Sequence, residues 1–317
     1  TGAMVQPDRG LFDAAFGGVV GYDELDRVYY PRVREMLRLS TMPADIYGSE
    51  PFGHSRAWDA QARAAGYDPV PVESIFDWDI VRDELAGRSR PSAPAARSNL
   101  GNSNGAKFDL NRNYLRHAED TGKAKVYPGH EVAQIWREPG NRFAVAVVKL
   151  SPTGAVLARR TLTCDRLFLA GGSIGTSELL VAARANGGLP NLNEHVGEGW
   201  GTNGDVALAR GATDFGAGTG GVPCASRIFD DADAPVTLEN WYIPGIPLDV
   251  GAIASLGLVV DPTRGRFECD TASGRVRLAW PRGGNDVARD AAAAVNDRIR
   301  ERSGALFAYR PIGFDAN

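Results

Sequence analysis

Three glycines close together, Gly171, Gly172 and Gly175, with Ser173 among them, form the stretch most able to hold a ligand in this sequence. They stand in CDRLFLAGGSIGTSELL, residues 164–180. Without a Cβ, backbone can turn sharply and lie close against another group. A helix that starts behind such a turn points unpaired N–H groups outward, which suits an anion such as a phosphate. Close packing of the chain on itself makes the same demand, so this stretch alone leaves both readings open. The other reactive residue types offer less. His54, His117, His130 and His195 do not pair at ligand spacing, so no metal is expected, and each reads as a surface or hydrogen-bonded structural histidine. Cys164, Cys224 and Cys269 are odd in number and contain no CxxC. Buried free thiols are expected rather than disulfides or zinc.

The elements around the glycines follow from local pattern. Residues 166–170 form a short apolar run of the kind a parallel sheet buries on both faces. Thr176 or Ser177 can cap the helix that follows, with Glu178 in its first turn. Upstream, strands are expected over 124–136, 142–148 and 155–163, joined by EPGN and SPTG turns. Together, 124–185 reads as a sheet excursion returning to a strand, turn and helix. Earlier, helices are expected over 23–38, restarted at Pro31, and over 55–65, ended by Gly66. Residues 86–106 are rich in Gly, Ser, Pro, Asn and Arg and must be loop. After the apolar and aromatic strip 70–85, that loop is either a linker or a lid over an apolar substrate. A further helix is expected over 109–120. In the last third, 211–221 is glycine-rich loop and 236–260 carries strands. A hairpin around TASG joins 266–270 to 275–280. A helix capped by Asn285 shows the stripe Val287, Ala291, Ala294, Val295 and Ile299, and Gly304 ends it. One more strand is expected over 305–309.

Composition sets outer limits. The chain has 317 residues, 43% of them hydrophobic, enough for a large core in one or two interleaved domains. A net charge of −4 argues against a general nucleic-acid role. No apolar run approaches the length of a membrane helix. The opening TGAMVQPDRG has neither an initiator methionine nor the pattern of a signal peptide, as expected of a processed or truncated product.

GGSIGTSELL, continued by LPNLNEHVGEGWGTNGD at residues 189–205, resembles the glucose–methanol–choline family of FAD-dependent alcohol oxidases, in particular its bacterial cholesterol oxidase branch. The resemblance runs over nearly the whole chain, and these two segments are its most specific part. It implies an α/β fold of mixed type: a partial, Rossmann-like FAD-binding domain interleaved with a substrate domain on an antiparallel sheet covered by helices. The implied domains are 5–107 with 199–317 for substrate, and 1–4 with 108–198 for FAD. The implied reaction is hydride transfer from a 3β-hydroxysterol to flavin and reduction of oxygen to hydrogen peroxide. A carboxylate then moves a proton from C4 to C6, converting the Δ5-ketone to the Δ4-ketone. A monomer is expected, secreted by family resemblance, with transient contact to a membrane surface when it takes up sterol.

Matched residue by residue, the resemblance puts that carboxylate at Glu239 in VTLENW. Its neighbours Leu238, Trp241 and Ile243 would desolvate it, raise its pKa and make it a better base. The resemblance puts Thr1, Gly2, Ala3 and Met4 at the end of a segment under the flavin, with Thr1 where asparagine is usual. Val132 would offer a backbone group to the adenine, and Gly171, Gly172, Ser173 and Gly175 would lie near ribose and phosphates. Asn203 and Asp205 border the flavin or simply build an Asn-Gly-Asp turn; both readings stand.

Departures from the family pattern matter as well. The GxGxxG segment, the acidic ribose ligand and the C-terminal histidine–proline and asparagine segments do not occur, and Thr237 replaces an aromatic found in some relatives. The sequence thus reads as the central part of an oxidase, expected to bind FAD poorly alone. Two other readings stay open: a non-catalytic module that binds an apolar ligand, and an oxidase of the same family acting on a different alcohol.

Overall fold

The structure, a computed structural model, describes residues 2–94, 97–99, 101–211, 221, 224–231, 234–242, 251–270 and 272–313. Helices and antiparallel sheets make up a mixed α/β fold. The chain divides into two compact units, one of residues 1–124, 203–260 and 287–313, the other of 125–202, 261–286 and 314–317.

The first unit is built on a six-stranded sheet in the order Ala308–Gly313, Asp205–Gly211, Ala252–Val259, Val236–Asn240, Ser226–Asp230, Val70–Pro71. Successive residues of a strand point to opposite sides, so each strand carries one set for the core and one for the other face. Val206, Leu208, Ile228, Val236, Leu238, Ile253 and Val259 form the core set. Two helices cover them. Gly53–Ala64 contributes Trp58 and Ala62, and Asp286–Ser303 contributes Ala288, Ala292, Val295 and Ile299. The latter stripe differs from the expected one: Val287 and Ala294 face outward, and Ala288 and Ala292 face the sheet. Packing decides this, because Gly257 leaves room on the sheet for Ala292 to sit against its backbone.

Several polar side chains inside this core pair with one another, although Arg210 Nη2 is buried without a partner among the described residues. Trp58 Nε1 donates to Ser255 Oγ at 2.8 Å. Arg210, fully buried, donates from Nε to Gln61 Oε1 at 2.6 Å and lies over the Trp58 ring. Burial pushes the Arg210 pKa down to about 9.

The helix expected over 23–38 is not broken at Pro31. It runs from Tyr22 through a π-helical turn, Leu25–Tyr29, into Tyr30–Leu37. The wider turn precedes Pro31, whose nitrogen cannot donate to the ladder. A second core gathers Phe52, Phe76, Trp78, Val81, Ala93 and Ala106 around the helix Trp78–Leu85. The loop after that helix is anchored. Buried Glu84 accepts from the N–H groups of Ser92 at 3.1 Å and Ala93 at 2.9 Å, and from Asn104 Nδ2 at 2.5 Å. The last strand lies later than expected, at Ala308–Gly313, because Ala305 N first bonds back to Arg300 O at the helix end.

The second unit holds the meander His130–Glu138, Arg142–Leu150 and Val156–Cys164. Its turns fall at EPGN and SPTG, with Asn141, Gly140 and Gly154 at positive φ. The helix Gly172–Ala185 packs on it through Ala183, Leu179 and Leu180. The hairpin expected around TASG is Gly265–Cys269 with Val276–Ala279, joined by the short strand Glu198–Trp200. Residues 166–170 do not form a strand. Leu167 and Leu169 pack toward the meander, and Phe168 is 88% exposed. A parallel strand exists only beside hydrogen-bonded neighbours, and no described strand pairs with this run. Most of the glycine-rich loop expected over 211–221 lies outside the described residues.

Candidate active site

Glu239 lies on an interior strand of the six-stranded sheet, with Leu256 opposite on one side and Arg227 on the other. Leu238 and Asn240 point to the opposite side by alternation. This corrects the expected surroundings of the acid: Leu238 belongs to the helix-covered core and cannot line a pocket with Glu239. Ile243, the third expected neighbour, lies outside the described residues. The Glu239 face carries half-buried Thr237, Leu256, Leu258 and Ala207, and, two strands away, Asp205. Glu239 itself is 7% exposed.

Cys224 Sγ donates a hydrogen bond to Glu239 Oε2 at 2.7 Å. Burial raises the Glu239 pKa above the usual carboxylate range, and the Cys224 bond and the Arg227 charge oppose this while the Asp205 charge adds to it. Asp205 is likewise pushed up by burial. The Cys224 thiol is pushed up by burial and by the Glu239 charge, so it keeps its proton at neutral pH.

The end of the Glu239 strand is polar. Cys224 N donates to Asn240 O at 2.7 Å, and Ala225 N to Asn240 Oδ1 at 2.9 Å. Asn99 Nδ2, from the anchored loop, donates to Tyr242 O at 2.7 Å. The Tyr242 ring meets the buried His54 edge-on at 5.3 Å, and His54 Nε2 accepts from Ala254 N at 3.2 Å. Asn240 Nδ2, Trp241 Nε1 and Asn99 Oδ1 are buried without a hydrogen-bond partner among the described residues. Such groups are costly unless water or a ligand meets them. Sequence reasoning missed Cys224, Asn99 and Asn240; only the proximity of Asn240 to Glu239 in the chain could have suggested it.

The remaining expected residues of this unit stand as follows. Thr1 lies outside the described residues. Gly2 is buried, its carbonyl accepts from Ile75 N at 2.9 Å, and a Cβ there would come within 3.0 Å of Ile75 Cγ1. Ala3–Met4 pairs antiparallel with Glu73–Ser74, and Met4 is partly exposed. Asn203 and Gly204 both have positive φ and turn the chain into the Asp205 strand, with Asn203 Nδ2 donating to Asp205 Oδ1 at 3.3 Å. Neither Gly2 nor Met4 makes a hydrogen bond with Glu239 among the described residues.

In the second unit, Val132, Gly171 and Gly175 do come together. They line an open groove of about 1170 Å³ together with Leu167 and Phe168, the arginines Arg275 and Arg277 of the hairpin, and the acids Glu131, Glu178 and Asp270. The meander bulges between Val132 and Gln134, which turns the strand at the groove wall. The helix begins at Gly172, earlier than expected, with Gly171 as its N-cap residue. Thr176 and Ser177 are therefore inside the helix rather than capping it. Thr176 Oγ1 still accepts from Gly171 N at 2.9 Å, and Ser177 Oγ donates to Ser173 O at 2.7 Å. Glu178 stands in the second turn. Gly172, at φ 78°, and Ser173 are exposed on the first turn, just outside the groove lining. A Cβ at Gly172 or Gly175 would meet nothing within 4 Å. These two glycines leave open space, whereas a Cβ at Gly171 would come within 3.3 Å of Thr176 N and Oγ1, so Gly171 serves close packing of the turn. An adenine nucleotide fits such a place: a bare helix start, two arginines and a strand edge at a bulge.

No family model matches the chain. It is 34% identical over 137 residues to proteins named cholesterol oxidase from two Mycobacterium tuberculosis strains, covering 42% of this chain and 23% of theirs. It is 29% identical over 143 residues to a protein named cholesterol oxidase from Acinetobacter baumannii, covering 43% of this chain and 25% of that one. The matched stretch spans about a quarter of the length of these curated relatives. Over some two fifths of its length, then, this chain is similar to proteins named cholesterol oxidase.

Proposed function

We propose that this chain is the central part of an FAD-dependent alcohol oxidase acting on a 3β-hydroxysterol, with Glu239 as the base that isomerises the product. The observation that carries the reading is a buried carboxyl group of raised pKa on a half-buried sheet face lined by Leu256, Leu258 and Ala207. A ketone with an adjacent acidic C–H needs one base of this kind, dry enough to be reactive. Glu239 takes the C4 proton and returns it at C6. Arg227 and Asp205, on either side, set how readily it is ionised. Trp241 Nε1, a buried donor without a partner among the described residues, suits the oxygen of the substrate.

FAD would lie with its adenosine end in the groove of Val132, Gly171 and Gly175, near Gly172 and Ser173, and Arg275 and Arg277 would meet its phosphates. Bound there, FAD supplies acceptance of the hydride from the carbinol carbon and reduction of oxygen to peroxide. Gly2, Met4 and Asn203 keep the role of bordering the flavin in this reading. So do a monomeric state, secretion and sterol uptake at a membrane surface.

The test is direct. The full-length parent should carry FAD and yield peroxide from cholesterol. Glu239→Gln should lower conversion of Δ5-cholesten-3-one to the Δ4-ketone by roughly 10²-fold or more. A parent without flavin, or unchanged isomerisation in the variant, overturns the assignment. Saturable sterol binding by a parent without flavin would instead favour a non-catalytic binding module.

A further inference from the structure

Cys224 has an unusual backbone. Its φ of 58° lies in the left-handed region, which side chains with a Cβ seldom enter. Two bonds to Asn240, the residue after Glu239, hold it there: its own N–H donates to Asn240 O, and the N–H of Ala225 to Asn240 Oδ1. The result is that a buried thiol reaches across from the start of one strand to the acid on the next.

We propose that Cys224 is a positioning residue for Glu239, whose thiol holds Oε2 and leaves Oε1 as the oxygen that carries the proton in isomerisation. The inference rests on the reading of Glu239 as the base. In the first half-reaction the C4–H bond breaks and an Oε1–H bond forms, leaving a dienolate. In the second, that O–H bond breaks and a C6–H bond forms. The Cys224 S–H bond stays intact throughout, so no oxidant or extra proton enters. A carboxylate free to rotate would present either oxygen; one that accepts from a fixed thiol presents one. The donor also favours the ionised form of the acid, against the burial that disfavours it.

Other charges near Glu239 are Arg227 on the neighbouring strand and Asp205 two strands away. On the helix-covered side, Asp59 is engaged by Ser226 and Tyr47, and Asp230 by Tyr67 and Arg298. The profile of Glu239 should therefore respond to the thiol, with Arg227 and Asp205 as a constant background.

The test compares Cys224→Ala, Cys224→Gly and Cys224→Ser in conversion of Δ5-cholesten-3-one. Alanine and glycine should both lower kcat roughly tenfold with KM unchanged, and move the acidic limb, where Glu239 becomes protonated, up by about one pH unit. Serine, which keeps a donor, should retain kcat within about threefold. A wild-type profile in the glycine variant, which relaxes the backbone yet lacks the thiol, overturns the proposal, as does a serine variant as impaired as alanine. Should the unaltered protein not isomerise at all, the function proposed above falls. A carbon-13 titration of the Glu239 carboxyl then decides about Cys224 separately: a midpoint raised in Cys224→Ala supports the proposal, and an unchanged midpoint removes it.

Discussion

Ala292 on the helix Asp286–Ser303 lies against Gly257 on the strand Ala252–Val259, so that a Cβ on Gly257 would come within 3.1 Å of the Ala292 Cβ. Leu208 and Leu238 crowd the same point from the neighbouring strands, each within 3.3 Å. The Ala292 Cβ is fixed to a helix backbone and cannot swing away. Gly257→Ala should therefore cost about 1–3 kcal/mol in urea unfolding, although alanine is the better residue by propensity. A more stable variant would show that the helix is free to shift.

The acid on this sheet links stability to pH. Burial raises the folded pKa of Glu239 above its unfolded value. Between the two, the folded chain holds a proton that the unfolded chain has released. Stability therefore falls as pH rises through that window, and the cost is complete above the folded pKa. Glutamine carries no such cost. Glu239→Gln should melt higher than the unaltered protein at neutral pH, with the gap closing as pH drops below about 4, near the unfolded value of a glutamate. Melting curves over a pH series check this, and a gap independent of pH contradicts it.

The groove of the second unit can be filled without strain. Gly175 is within a helix and has open space beyond it. Gly175→Leu should raise melting slightly, since leucine is favoured over glycine in a helix by up to about 1 kcal/mol. The same variant of the full-length parent should retain no FAD. Normal flavin content would remove this groove as the adenine site.

Glu84 holds the segment 86–106 through two backbone N–H groups and the Asn104 amide. Truncation to alanine leaves those donors buried, at about 1–3 kcal/mol for each one stranded. Glu84→Ala should be cut faster by trypsin after Arg88 than the unaltered protein. Equal cleavage rates would mean that the segment is held by other contacts.

The sequence announced the meander well, because Gly140, Asn141 and Gly154 are turn residues that sit at positive φ and bound strands rich in valine. It was less informative wherever the answer depended on a distant partner. Four consecutive alanines, Ala291–Ala294, give no period of their own, so the buried face of that helix is set by Gly257. The apolar run at 166–170 looks like a strand by composition, yet composition does not supply a neighbour for it. The same limit applies to the site. Glu239 and the glycines were visible, but Cys224 lies fifteen positions from Glu239, and only its left-handed backbone and the bonds from Asn240 deliver the thiol.

Residues 166–170 run alongside the meander with no backbone hydrogen bond among the described residues, and Phe168 stands out into water. Amide protons there should exchange with deuterium almost as fast as in an unfolded peptide, while those of Arg142–Leu150, paired on both sides, persist far longer. The segment leading into the groove of Val132, Gly171 and Gly175 would then be the least protected part of its unit, ordered by the packing of Leu167 and Leu169.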